Sequence, residues 1–317
     1  MTAPIALLLF VVGASLFARR LAHAHWTERS PVLGIAAWQT LTVATALAVV
    51  LIGFTLALPE LHLTADLAAL LQACVAEMRH QYGTPAGMLL SGTGAAMSAV
   101  VIFRFGWALA TTTWHSRRQR QQHRTRLRLV GEGADDRGVT IVQYNAPMVY
   151  CVPGRSNDIV VTSAAAEVLT EDELRGVLAH ERAHLRARHH WAITVATALS
   201  AAFWHASPFA TALARTKALA EMHADDSVHA RGRRDLASAL IHLSCAPPPA
   251  GALGASGSHV AARVIRLTQP QTPLQGRARM TVLFSLTAVL VLPMALALFP
   301  AGLALLIDCC RAGLATL

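Results

Sequence analysis

Charged residues are scarce in this chain. They make up 14% of its 317 residues, against 54% hydrophobic residues; ordinary globular chains run near a quarter charged. The deficit argues against a large soluble fold and for a membrane protein. No C-x-x-C pair occurs among the five cysteines, Cys74, Cys151, Cys245, Cys309 and Cys310. Neither a zinc knuckle nor a thioredoxin-like site is therefore indicated. The thiols read as buried or incidental, with Cys309-Cys310, beside an apolar run, also a candidate for acylation. Basic residues are not interleaved with aromatics as a strand-reading surface requires. Despite a formal charge of +9, no direct nucleic-acid partner is expected. The charges instead flank apolar runs, the pattern of membrane topology and of contact with anionic lipid. The first apolar run has no Lys or Arg before it and no cleavage motif after it, which argues against a signal peptide. Internal repeats are absent.

Four apolar runs are long enough to approach or exceed a bilayer core: Ala3 to Ala18, about Val32 to Leu58, about Thr84 to Ala110 and about Thr281 to Ile307. Arg19, Arg20 and Arg29 separate the first two. Arg117, Arg118, Arg120, Arg124, Arg126 and Arg128 follow the third, and Arg277 and Arg279 precede the fourth. Between the second and third stand Glu60, Asp66 and Glu77 against Arg79. The positive-inside rule then puts both termini and the 59–83 segment outside, and residues from about 111 to 280 inside. Residues 1–112 are expected to hold three spans, 113–280 a cytoplasmic domain, and 281–317 the last span with a short outer tail.

Residues 64–80 are amphipathic at helical spacing, through Leu67, Leu70, Leu71, Cys74, Val75 and Met78. They read as a helix lying on the outer membrane face, or as a sensor surface. The third run carries Gly87, Ser91, Gly92, Gly94 and Ala95, small residues that allow close helix approach. Its Arg104 is expected to snorkel toward Trp107 and Trp114, or to be a buried functional charge. The arginines of 117–128 form a solvated or lipid-facing helix, or a dock for an acidic partner.

Residues 171–184 read as a helix with Thr170 as N-cap and Glu173 completing a capping box. His180 and His184 are one turn apart, so both rings project from one face toward a single point, which suits two ligands of a tetrahedral zinc ion. Glu181 lies on the adjoining face, within reach of a water on that metal, where a carboxylate serves as general base and then as proton donor to a leaving amine. A third ligand is required. Downstream, Glu221 and Asp225 share a second helix face: Glu221 can complete the metal set, and Asp225 can hold the far nitrogen of a ligand histidine. One Zn2+ per chain is expected.

These residues carry a resemblance. Val160 to Ser163, Glu171 to Leu174, Val177 to Glu181 and Glu221 to Asp225 resemble gluzincin membrane peptidases, both the BlaR/MecR regulatory type and the HtpX quality-control type. Three spans before the catalytic domain, one after it and an arginine-rich entry resemble the BlaR/MecR type, in its short actinobacterial form. The resemblance implies a mainly α integral membrane fold: four transmembrane helices with a cytoplasmic α+β zinc peptidase domain and a small sheet. It implies residence in the bacterial plasma membrane, an active site facing the cytoplasm, and cleavage of a cytoplasmic BlaI/MecI-type repressor, with self-cleavage. A homodimer is a further expectation. Antibiotic-sensing members carry a penicillin-binding sensor domain after the last span; only about ten residues follow it here, so β-lactam sensing by that route is not expected. Two other readings stay open, a quality-control protease and a catalytically silent scaffold.

Residues 139–162 read as strands broken at Asn145-Ala146-Pro147, Pro153-Gly154 and Ser156 to Asp158. The strand Met148, Val149, Tyr150, Cys151 and Val152 is either the edge that holds substrate by β-addition or part of a plain supporting sheet. Residues 191–210 are apolar; a fifth span would separate Glu221 from His180, so a buried or membrane-dipping helix is expected, ended or bent by Pro208. His205, His223 and His229 are candidate oxyanion stabilisers. His189 and His190 adjoin the ligand helix and invite confusion with ligands. Residues 246–258 read as a flexible loop, either a linker or a self-cleavage or docking segment.

Overall fold

The computed structural model describes residues 2–57, 83–132, 138–154, 158–244, 257–269 and 272–314. The amphipathic 64–80 stretch, Cys74, Cys245 and residues 246–256 of the expected loop lie outside the described residues; Gly257 and Ser258 begin a helix.

Four helices are long and apolar enough to cross a bilayer: α1 (Thr2–Ala22), α3 (Pro31–Ala57), α4 (Pro85–Val130, apolar in its first part) and the last, α11 (Gly276–Leu314). They coincide with the four expected runs. A one-turn helix, α2 (Trp26–Arg29), joins the first two. Leu89, Phe103 and Phe284 are each more than two-thirds exposed. Exposing that much apolar area to water would cost about 25 cal/mol per Å2, so these faces belong against hydrocarbon. Where α3 and α4 cross, Gly53 and Gly94 meet: a methyl group on either would collide with the carbonyl oxygen of the other. Ser98 Oγ seals the crossing by donating to Val50 O at 2.8 Å. The small-residue stripe thus packs at Gly94, whereas Gly92 faces open space.

The helix α4 passes residue 112 without a break and reaches the sheet. Strands β1 (Gly131–Glu132), β2 (Val139–Val142), β3 (Val149–Val152) and β4 (Asp158–Thr162) form one sheet in the order β1-β2-β4-β3. β2 and β4 are parallel; β3 runs antiparallel to β4 and lies at the edge. Alternation along the strands sorts the side chains. Val152 and Val160 pack on Leu127 of α4. Val139, Ile159 and Val161 pack on Ala165 of α5 (Ser163–Val168) and Leu178 of α6 (Glu171–Arg186). Burying a side chain the size of Leu178 is worth about 1.5–3 kcal/mol. The sheet therefore lies between the end of α4 and the helix that carries the HExxH motif.

The apolar 191–210 stretch is a hairpin. Helix α7 (His189–Ala202) turns into α8 (Ser207–Asp226). Pro208 does not end or bend the first helix: α7 stops at Ala202, Trp204 and His205 take left-handed backbone, and Pro208 stands in the first turn of α8, where its missing N–H is harmless. Arg104 does not snorkel past Trp107. Its guanidinium donates to Ala202 O (2.9 Å) and Ala201 O (2.8 Å), carbonyls at the end of α7, and lies 3.7 Å over the Trp204 ring. α8 then runs back beside the membrane helices; its Ala212 and Leu219 share a core with Leu21 and Trp38 of α1 and α3. A 3-10 turn (Ala230–Gly232), α9 (Arg233–Ser244) and α10 (Gly257–Thr268) complete the domain. Arg266 of α10 grips Asp226 at 2.6 and 2.8 Å and also donates to Glu28 O of α2, tying the domain to the loop between the first two spans.

Candidate metal centre

Helix α6 begins at the expected capping box. Thr170 Oγ1 accepts from Glu173 N–H, and Glu173 Oε2 accepts from Thr170 N–H at 2.9 Å. A cap of this kind is worth about 1 kcal/mol. Val177 and Leu178 anchor the helix, and within the next two turns His180 and His184 project together, their Nε2 atoms 3.1 Å apart. Glu221, near the end of α8, closes the triangle: Oε2 is 3.5 Å from His180 Nε2 and Oε1 is 3.4 Å from His184 Nε2. Ligands about 2.0–2.1 Å from a tetrahedral zinc ion stand about 3.3 Å from one another. The three edges found here match that spacing, and two imidazoles with one carboxylate are a chemically suitable donor set. The residues therefore fit a metal ion, and the hairpin α7–α8 is what returns Glu221 to the histidines.

The far side of each histidine is fixed. His180 Nδ1 lies 3.0 Å from Asp225 Oδ1, a carboxylate wholly sealed from solvent. Asp225 is gripped by Arg263 of α10 at 2.7 and 3.0 Å, and the same guanidinium reaches Glu221 at 3.2 Å. Burial alone would lower the His180 pKa, but Asp225 and Glu221 overcome it and lift it to about 9. Burial alone would raise both carboxyls; instead the His180 contact leads the interactions that hold Glu221 and Asp225 below the usual carboxylate range.

His184 Nδ1 meets His189 Nδ1 at 2.9 Å, and His189 Nε2 meets His223 Nδ1 at 2.8 Å. Burial holds His184 and His189 down to about 4 and lowers His223, so all three rings are neutral at pH 7. Neutral rings donate once and accept once. With the lone pair of His184 Nε2 turned to the metal position, only one proton order works: His184 donates to His189, and His189 donates to His223.

Glu181 faces the sheet. Its carboxylate takes hydrogen bonds from the backbone and thiol of Cys151 in β3, while burial raises its pKa; burial and Glu181 also push the Cys151 thiol up. Of the expected substrate strand, Met148 lies just before β3, with its N–H donating to Thr162 Oγ1. Val149 and Cys151 face α6. Tyr150 faces α4, its hydroxyl 2.7 Å from His123 Nε2, and Val152 is buried beside Leu127. The strand is thus both an edge and part of the domain core.

The expected site residues divide. His180, Glu181, His184, Glu221 and Asp225 converge. His223 joins through His189. His229 is exposed at the start of the 3-10 turn, and its ring has no hydrogen bond to the ligand set. His205 is exposed at the hairpin tip, about 21 Å along α8 from Glu221. His190 points elsewhere, while His189, its neighbour, buttresses a ligand. Sequence reasoning missed that role, and it missed Arg263, whose only local signal is the amphipathic spacing of α10.

The family model described as BlaR1 peptidase M56 matches residues 88–267, more than half of the chain and the whole of this site. No curated protein matches the chain. No solved structure matches it. The family is one of membrane metallopeptidases, and the four apolar helices agree with it. By that match the chain belongs to the BlaR1 peptidase M56 family.

Proposed function

We propose that the chain is a zinc endopeptidase with its active site on the cytoplasmic side, cleaving a repressor of the BlaI/MecI type, and itself, in a signalling response. The observation that carries the enzymatic reading is the triangle of His180, His184 and Glu221 with Glu181 beside it, facing an edge strand. The distribution of arginines along the chain supports the orientation, with the N- and C-termini outside. Family membership favours the repressor over a quality-control substrate. Membrane lipid and a second copy of the chain are further proposed partners.

His180, His184 and Glu221 would hold one zinc ion, which supplies a Lewis acid for the scissile carbonyl and a polarised water. The substrate backbone pairs with the open side of β3. Glu181 accepts the proton of the attacking water and hands it to the leaving amine; its raised pKa brings both transfers closer to balance at neutral pH. Asp225 keeps the proton of His180 on Nδ1, and His189 does the corresponding service for His184. Stabilisation of the oxyanion is assigned to His223, which joins the ligand set through His189. A scaffold has no use for Glu181 in this position.

Co-expression of the full chain with a repressor encoded beside it, followed by mapping of new N-termini by mass spectrometry, tests the substrate. One discrete cut, absent with Glu181→Gln, is expected. An intact repressor, with membrane proteins accumulating instead in Glu181→Gln cells, would transfer the assignment to quality control.

A further inference from the structure

One cavity outside the metal centre is strongly basic. It has a volume of about 800 Å3 and is walled by Arg117, Arg120 and Arg124 of α4, by Leu185 and Arg188 at the end of α6, and by Trp191 of α7. Pro153 and Gly154, which follow β3, form its floor. No acidic side chain lines it among the described residues. Arg124 is paired with Asp158 at 3.3 Å, and Arg120 donates to Ser116 O and Pro153 O. Arg117 and Arg188 have no ion pair among the described residues. Arg188 is presented by left-handed backbone, φ 51°, between α6 and α7.

The cavity is in line with the edge strand. α4 covers one face of the sheet and α6 the other, so the open side of β3 runs along the cleft between them. Cys151 marks the position of Glu181 on that strand. Gly154 stands three residues further, about 10 Å in extended chain. Along α6, Leu185, which lines the cavity, stands one turn past Glu181 on the same face, about 6 Å, and Arg188 follows it in the turn to α7. Both measures lead to the same cavity. A second, smaller hollow between α4 and β3, lined by Arg120, Arg126 and Cys151, continues the basic wall toward Glu181.

We propose that this cavity is a substrate subsite that takes a carboxylate side chain, Asp or Glu, about three residues from the scissile bond. The inference rests on the peptidase reading and on β-addition to β3. A peptide paired with the strand spans about 3.3 Å per residue, so a side chain three residues from the cut reaches the arginines. Arg forks match carboxylates bidentately; His190, held below its ordinary value by burial and by Arg120 and Arg188, leaves the charge of the cavity to the arginines. The chemistry recognised is an acidic peptide segment.

The test uses full-length Glu181→Gln protein in neutral detergent, loaded with zinc, which binds without cutting. Two fluorescein-labelled peptides differ only in Asp and Glu against Asn and Gln. The acidic peptide is expected to bind about tenfold more tightly, with the advantage shrinking in salt and lost in Arg117→Gln/Arg188→Gln protein of equal zinc content. Equal affinities for the two peptides would overturn the proposal. So would displacement of the acidic peptide's advantage by phosphatidylglycerol at one lipid per protein, which would make the cavity a headgroup site. Cleavage of a random peptide library by the wild type is run alongside: cuts without acidic enrichment defeat the subsite alone, whereas zinc-loaded protein that binds the acidic peptide and cuts nothing defeats the peptidase reading.

Discussion

His189 touches His184 through the one ring nitrogen of His184 that faces away from Glu221, Nδ1 to Nδ1 at 2.9 Å. That contact decides which nitrogen of His184 keeps a lone pair. It also makes His189 a positioning residue: it holds a metal ligand without offering an atom to the metal. Replacing His189 with Phe, which keeps the ring and removes the acceptor, is expected to weaken zinc binding about 10–100-fold in chelator competition. His190→Phe, one residue away, is expected to leave zinc affinity within about twofold. Equal affinities for wild type and His189→Phe would refute the role.

Asp225 and Arg263 are expected to behave as a buried pair. Asp225→Ala leaves the guanidinium without its main partner and should cost about 3–5 kcal/mol. Replacing both, as Asp225→Leu/Arg263→Met, should recover part of that loss. Denaturant unfolding of the metal-free variants in detergent measures the coupling. Additive losses would show that the two side chains act independently.

Glu173 gives a pH-dependent term. Burial would raise its pKa, but hydrogen bonds from Ser238 and Thr170 and the nearby His242, 3.1 Å away, hold it below its ordinary value. A carboxyl depressed in the folded state contributes stability above its unfolded pKa, near 4.3, and loses it as pH falls through the folded value. Glu173→Gln is therefore expected to cost about 1 kcal/mol at pH 7, and the gap to wild type should close below the ordinary carboxylate range. A gap that persists at low pH would contradict the ionic origin.

Arg104 caps the hairpin tip. Arg104→Ala leaves the carbonyl of Ala202 without its side-chain donor, at a cost of about 1–3 kcal/mol, while Ala201 O keeps the N–H of Trp204. A lower unfolding midpoint and faster proteolysis at residues 203–206 are expected, with zinc content unchanged. An unaltered midpoint would show that the cap is dispensable.

Local patterns made much of this molecule legible. The four apolar runs, the box from Thr170 to Glu173 and the period-four pairs His180/His184 and Glu221/Asp225 depend on residues within a turn or a span of each other, and each formed as expected. The strands were legible for the same reason, at Val139–Val142 and Asp158–Thr162. What the sequence did not disclose depends on distant pairing. Arg263 reaches Asp225 across 38 positions and Arg104 reaches Ala202 across 98, and no local period announces either. Pro208 misled because proline is equally at home in the first turn of a helix and at its end. His189 was hidden among neighbouring histidines that differ only in which way a newly started helix turns them.

Zinc content and cleavage, measured together on purified full-length protein, test the central claim most directly. The wild type is expected to hold one zinc per chain and to cleave; His184→Ala should lose both, and Glu181→Gln should keep the zinc and lose cleavage. Wild-type protein without zinc after metal-replete expression, or Glu181→Gln protein that cleaves as well as wild type, would contradict it.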